Sequence, residues 1–240
     1  MVIIAICGFQ GVGKDTFANY LVSEYQFKKF SFAEATKDIL TVMFGWNRNM
    51  LEGDTIESRT FRETIDPWWA KKLQIDDLTP RKVLQMVGTD LFRKHFNYEI
   101  WVFIVEKKII NALKTNPEEK IIISDCRFKN EIIMLKSLGA KLIHIQRNLP
   151  EWFDSYKRGD NCEQASMLHL SETDWIREDF DYEIKNDFND IKQFESYINR
   201  FVDEKYNIQS NKKKNNTYDD LLYEQFSFNK FTKESKVKLA

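Results

Sequence analysis

Residues 2–7, VIIAIC, form an unbroken apolar run rich in β-branched side chains, the pattern of a parallel strand covered on both faces. Glycine and polar positions interrupt it over 8–13, and from Asp15 to Tyr25 the apolar residues Phe17, Ala18, Leu21 and Val22 return at helical spacing. The opening therefore predicts strand, loop, helix. A short apolar stretch, Phe27–Phe32, leads into a second helical pattern over Ala33–Phe44. Residues 45–78 hold Gly45, Gly53 and the Trp68–Trp69 pair without a regular period, and are expected to be an excursion from the core. Thr79–Pro80 then marks a helix start, because a threonine caps well and a proline costs nothing in the first turn. That helix continues through Val83, Leu84 and Val87, and Tyr98–Leu113 predicts another, ending near Asn116–Pro117.

The strand pattern returns at Lys120–Ser124, gives way to a helical Asn130–Leu138 stopped by Gly139, and returns at Lys141–Gln146. Residues 151–180 are polar and read as a short helix and a loop, Tyr182–Lys185 as a last strand, and Phe188–Tyr206 as a closing amphipathic helix. Strands alternating with helices predict right-handed βαβ units. The expected class is α/β, a three-layer fold with a parallel five-stranded sheet and helices on both faces.

Composition narrows the setting. No apolar run reaches the roughly 18–20 residues of a membrane helix, and the first residues lack the basic flank and cleavage site of a secretory signal. Cys7, Cys126 and Cys162 lie far apart without metal-type spacing, so they read as core fillers in a reducing, cytoplasmic setting with no structural metal. A formal net charge of −1 gives no reason to expect a nucleic-acid or membrane partner. From 208 the character changes: residues 208–240 carry seven lysines against four acidic residues and include SNKKKNNT. That segment reads as a flexible tail, or, through Leu221, Leu222, Tyr223, Phe226 and Phe231, as one that docks on the body or a partner.

The candidate chemistry begins where the first strand ends. Gly8-Phe9-Gln10-Gly11-Val12-Gly13-Lys14-Asp15-Thr16 fits the phosphate-binding pattern GxxxxGK followed by Ser or Thr, except that Asp15 fills the hydroxyl position and Thr16 follows it. A glycine-rich turn is the plainer alternative. The chain holds only 8 glycines in 240 residues, yet three lie within 8–13, between the required strand and the required helix, so a P-loop is the better account. Glycines let backbone N–H groups converge on phosphate, and Lys14 adds a mobile charge. Asp15 can hold Mg²⁺ directly or through water, since that ion prefers oxygen ligands; Thr16 reads either as an α-phosphate contact or as a first-turn helix residue.

No NKxD or DxxG segment of a GTPase follows the P-loop, nor the hydrophobic run closed by an acidic pair that marks many ATPase motors. The GKDT loop, FSFAEATK at 30–37, RKVLQMVGTDLFR at 81–93 with Trp101, ISDCRFKNEI at 123–132, HIQR at 144–147 and HLSE at 169–172 together resemble the phage-type deoxynucleoside monophosphate kinases, over about residues 1–205. The resemblance implies a kinase domain over 1–207, with a helical acceptor-binding insertion at 45–116 and a lid-like segment at 148–180. It implies ATP as co-substrate with Mg²⁺, and nucleotides as partners, with a homodimer as the assembly allowed for.

Asp125 and Arg127 fall where the KIIIS strand ends, and ligands of open parallel sheets gather there. Asp125 can hold Mg²⁺ through water and Arg127 can fork onto a phosphate, or the two can form a local pair. The resemblance implies that Arg93 binds the acceptor phosphate and that Gln85, Gly88, Thr89 and Trp101 shape its base and sugar pocket; Arg62, in the irregular stretch, is a further candidate for the acceptor phosphate. Core packing for Trp101 and a solvated charge for Arg62 are the plainer readings. Arg147, with Lys157 and Arg158 beyond it, resembles a lid cation, while His169, Ser171 and Glu172 form a motif without a derivable role. Other readings stay open: a different small acceptor, of the dephospho-CoA or phosphomevalonate type, or a non-catalytic nucleotide-binding module.

Overall fold

The computed structural model describes residues 1–208, 210 and 211 of the 240-residue chain. Strands β1 (Val2–Cys7), β2 (Lys28–Phe30), β3 (Lys120–Ile123), β4 (Lys141–Gln146) and β5 (Tyr182–Lys185) form one sheet in the order β2-β3-β1-β4-β5. Every neighbouring pair runs parallel. The helices, in chain order, are α1 (Lys14–Tyr25), α2 (Glu34–Phe44), α3 (Ile56–Glu63), α4 (Pro67–Leu73), α5 (Pro80–Gln85), α6 (Ile100–Thr115), α7 (Lys129–Ser137), α8 (Phe153–Arg158), α9 (Glu163–Ser166) and α10 (Ile191–Tyr206).

The two-residue period of a strand divides β1 between two cores. Ile3, Ala5 and Cys7 face one side with Val102, Val105 and Ile109 of α6 and Ile132 and Leu135 of α7. Ile4 and Ile6 face the other with Phe17 and Leu21 of α1 and Ile198 and Val202 of α10. This is the three-layer α/β arrangement that the sequence predicts. Among the described residues no helix is long and apolar enough to cross a membrane.

The stretch expected to be irregular holds α3 and α4, each about two turns long. Thr55 caps α3 by accepting from Ser58 N at 3.0 Å; Asp66 caps α4, accepting from Trp68 N and Trp69 N, with Pro67 in the first turn. With α2 and α5 they enclose a small core of their own, around Leu40, Trp46, Leu51, Leu78 and Val83. The acceptor-binding insertion expected over 45–116 is therefore shorter as a packing unit. Its last helix, α6, lies on the sheet, because Trp101, Val102, Val105 and Ile109 point into the sheet's core.

Helix α5 runs straight into a π-helical segment, Met86–Phe96. The polar segment 148–180 is anchored rather than loose: Phe153, Trp175 and Ile176 are buried, and Phe9 meets Trp152, Phe153 and Trp175 edge to face. Cys7 and Cys126 are buried, as core fillers should be, whereas Cys162 is half-exposed and its Sγ lies 3.2 Å from Gln164 Oε1. At the C-terminal end Ser210 is buried and Asn211 Nδ2 donates to Ser23 O at 3.3 Å; the tail predicted beyond them lies outside the described residues.

Candidate active site

The turn from β1 into α1 depends on glycine. Gly8, Gly11 and Gly13 all have positive φ. A Cβ on Gly8 would meet Ile145 O at 2.5 Å, and one on Gly13 would meet Asn186 Nδ2 at 2.6 Å. Gly13 is the N-cap of α1, so the first N–H groups of that helix open where the turn closes. Lys14 folds back over the turn, its Nζ donating to Gly8 O at 2.8 Å and Phe9 O at 2.6 Å.

Burial pushes the Lys14 ammonium down to about 8, and the charge of Arg127 pushes the same way. A phosphate oxygen beside it raises that value again. Nucleotide binding near pH 8 is therefore expected to take up about half a proton through Lys14. Calorimetry at pH 8 in buffers of different ionisation enthalpy checks this; an enthalpy independent of the buffer would contradict it.

A cleft of about 1080 Å³ opens in front of the turn. Gly11, Gly13, Lys14, Asp15 and Thr16 line one wall, Gln85, Gly88 and Thr89 with Trp101 another, and Asp125, Arg127, Arg62 and Arg147 the space between. Two of the residues expected at the cofactor, Gly8 and Val12, are placed differently from the rest of the loop. Gly8 lies behind the turn, against Ile145. Val12 turns its side chain into the core, and its carbonyl accepts from Asn186 Nδ2 at 2.8 Å. Both are held by packing, and Val12 borders a smaller recess together with Gln10, Gly11 and Arg147.

The π-helical segment explains how the second wall is presented. A five-residue hydrogen-bond period stacks Leu84 under Thr89 and Gly88 under Arg93, and all four residues reach the cleft. Trp101 is buried, donating from Nε1 to Gly88 O at 2.8 Å, so packing and pocket shape are one role here.

Three guanidinium groups converge here, those of Arg81 and Arg127 paired with carboxylates and that of Arg62 with none among the described residues. Burial, then the charges of Arg81 and Arg127, depress the pKa of Arg62. Its Nη1 donates to Glu52 O at 3.2 Å, and its Nε is buried with no partner. Arg81 bridges Glu63 at 3.0 Å and Gln10 of the P-loop at 2.5 Å. It was missed from the sequence, although it stands at the head of the RKVLQ motif. Arg127 pairs with Glu172, which gives the HLSE motif a structural sense. His169 Nδ1 lies 2.8 Å from Ser171 Oγ and accepts from Ser171 N, holding the turn that presents Glu172 to the arginine.

Arg93 departs from its expected role. Its side chain is 2% exposed, paired with Glu131, bonded to Tyr98 O and Asn130 Oδ1, and laid over the Phe128 ring at 4.0 Å. Three of its five N–H donors are engaged inside the protein, which makes it a support of the cleft wall that it also lines. Lys157 and Arg158 turn away from the cleft, to Glu183 at 2.7 Å and Asp160 at 3.6 Å.

The two acidic candidates differ. Asp125 is locked: Oδ2 accepts from Ser31 Oγ at 2.6 Å and Ala33 N at 3.0 Å, and Oδ1 from Phe32 N at 3.1 Å. Asp15 is open to the cleft, with Ser124 Oγ at 3.0 Å and Lys29 Nζ at 3.2 Å from its Oδ1. Burial works against its charge, but Lys29 and Ser124 hold its pKa below the usual carboxylate value.

A sequence profile of deoxynucleotide monophosphate kinases matches residues 70–157, a span that takes in α5, the π-helical wall and the Asp125–Arg127 segment. A protein of Acanthamoeba polyphaga mimivirus, provisionally named deoxynucleotide monophosphate kinase, is 33% identical over 154 residues, covering 61% of this chain and 75% of its own. The chain belongs to this kinase family. The deoxynucleoside-5'-monophosphate kinase of Escherichia phage T5 is 41% identical over a shorter stretch of 59 residues, 25% of this chain and 22% of the phage protein. Among solved structures, the dephospho-CoA kinase of Campylobacter jejuni is 16% identical with a TM-score of 0.44, over 84% of this chain and 96% of its own. Family membership does not favour the readings with a different small acceptor or with no catalysis.

Proposed function

We propose that the chain transfers the γ-phosphoryl group of ATP to a deoxynucleoside monophosphate, giving the diphosphate and ADP. The observation that carries this reading is one cleft lined by the P-loop, by a recess of Gln85, Gly88, Thr89 and Trp101, and by arginines of which Arg62 has no carboxylate partner among the described residues. The P-loop N–H groups and Lys14 hold the donor's phosphates. The recess of Gln85, Gly88, Thr89 and Trp101 takes the acceptor's base and sugar, and Arg62 and Arg81 take its phosphate.

Phosphoryl transfer is mostly positioning plus cationic stabilisation of charge spread over the migrating group. Lys14, Arg127 and Arg147, the last just past the end of β4, all line the cleft and supply that stabilisation. An acceptor phosphate is already ionised at neutral pH, so no general base is needed. The paired Glu172 holds the Arg127 guanidinium in place.

Magnesium fits the donor set. Among the described residues no cluster of three or more metal-ligating side chains occurs, and Mg²⁺ usually takes one or two carboxylates and completes its shell with phosphates and water. Asp15 would hold it and Asp125, already bonded three times, would act through water. A bound magnesium ion would supply charge neutralisation to the transferring phosphates. A cytoplasmic setting, where ATP and free thiols coexist, suits this reading.

The test is a coupled assay of ADP formation with each of the four common deoxynucleoside monophosphates. Turnover with at least one of them is expected, with KM rising at least tenfold in Arg62→Ala while kcat changes little, because that side chain would contribute ground-state binding. No ADP formation with any acceptor would remove the proposal.

A further inference from the structure

We propose that Lys29 is a built-in stand-in for the divalent cation at Asp15, a positioning residue that keeps the phosphate cradle in charge balance with or without metal. The inference rests on reading the cleft as the ATP site.

Asp15 puts a full negative charge beside Lys14, in the first turn of the helix that must receive an anion. Left uncompensated, it would repel the phosphates that the helix N-terminus attracts. Lys29 answers that charge from β2, the edge strand of the sheet. Its Nζ lies 3.2 Å from Asp15 Oδ1 and 3.1 Å from Asn19 Oδ1, so Asn19 aims the ammonium at the carboxylate.

The pair is built to be exchanged. Its side chains are 32% and 58% exposed, and a solvated ion pair of this kind contributes little. Ser124 Oγ donates to the same oxygen from the end of β3, holding the carboxylate toward the cleft whichever cation it faces. The contrast is Asp125, both of whose oxygens are engaged by backbone and hydroxyl donors. Asp15 is thus the carboxylate with capacity for a cation, and Lys29 is the cation it gives up.

ATP binding to the full chain, measured by calorimetry in EDTA and in magnesium, tests the proposal. Lys29→Met is expected to weaken metal-free ATP binding about three- to fivefold and to leave magnesium-ATP binding unchanged or tighter. Lys29→Arg should restore the wild-type ratio. In an Asp15→Asn background the difference between the two conditions should vanish. Equal weakening in both conditions in the wild-type background, or a difference that persists beside Asn at position 15, would overturn the stand-in role and leave only general attraction. Should Lys29→Met misfold by circular dichroism, Lys29→Gln carries the same readout. No ATP affinity of the wild type in either buffer would instead take down the kinase reading, and this inference with it.

Discussion

Lys14→Met is expected to lower kcat by about 10²–10³-fold, the usual cost of removing one preorganised cation or donor from a transition state that gathers charge. The fold should survive. Methionine reaches about as far into the turn and needs no counter-charge. The depression of the lysine from 10.5 to about 8 corresponds to a penalty of about 3 kcal/mol for holding the buried charge. Its removal offsets the two carbonyls, Gly8 O and Phe9 O, that lose a donor, at about 1 kcal/mol or more each. The sign can be checked separately. Because the folded value lies below the unfolded one, the unfolded chain binds the extra proton between about pH 8 and 10.5. The Lys14 contribution to wild-type stability therefore rises with pH in that window, and the variant should lack that slope. Thermal unfolding and a coupled assay on the same preparation decide the matter; a folded variant with kcat within tenfold of wild type would deny Lys14 its role.

What the sequence made legible follows how local each signal is. The strand VIIAIC and the glycine cluster are local, and both sit where expected. The insertion helices α3 and α4 were missed because two turns are too short to display an apolar period. Their caps were visible, Thr55 before Ser58 and Asp66 before Pro67, and a reading by caps rather than by periodicity would have found them. The π-helical wall was not legible. A template of 3.6 residues per turn puts Val83, Leu84 and Val87 on one face, whereas the observed five-residue period brings Gly88 and Arg93 together.

Partnerships across the chain were the least visible. Arg127 meets Glu172 at a separation of 45 residues, and Asp125 meets the turn before α2 at a separation of more than 90. The motif residues line one cleft. The motifs did not say which charges would face solvent and which would be consumed by neighbours, because that depends on where the backbone donors fall. Asp15 and Asp125 illustrate the point: the same side chain is open in the first turn of α1 and locked just past the end of β3. A free backbone N–H run, at Phe32 and Ala33, makes the difference.

Arg93 gives the sharpest separation between a binding role and a structural one. Arg93→Met is expected to destabilise the protein by about 3–5 kcal/mol, the cost of leaving one member of a buried ion pair without its partner. That corresponds to a fall of about 10 °C or more in unfolding temperature for a chain of this size. Glu131 is the group left exposed to the penalty, at 2% side-chain exposure. It cannot simply relax outward, because its Oε2 also accepts from Arg127 N at 2.8 Å and Phe128 N at 3.1 Å. Those bonds fix the backbone from which the Arg127 guanidinium projects. Loss of Arg93 should therefore reach catalysis indirectly: kcat falls as Arg127 loses its anchorage, and Arg93→Met/Glu131→Gln recovers part of the stability by replacing the stranded carboxyl, whose pKa burial pushes up to about 7 even beside Arg93, while keeping an acceptor for both N–H groups. A direct phosphate ligand would behave in the opposite manner, raising the KM for the acceptor with the unfolding temperature unchanged. Differential scanning calorimetry beside steady-state kinetics distinguishes the two, and an unfolding midpoint within about 2 °C of wild type would return Arg93 to the substrate.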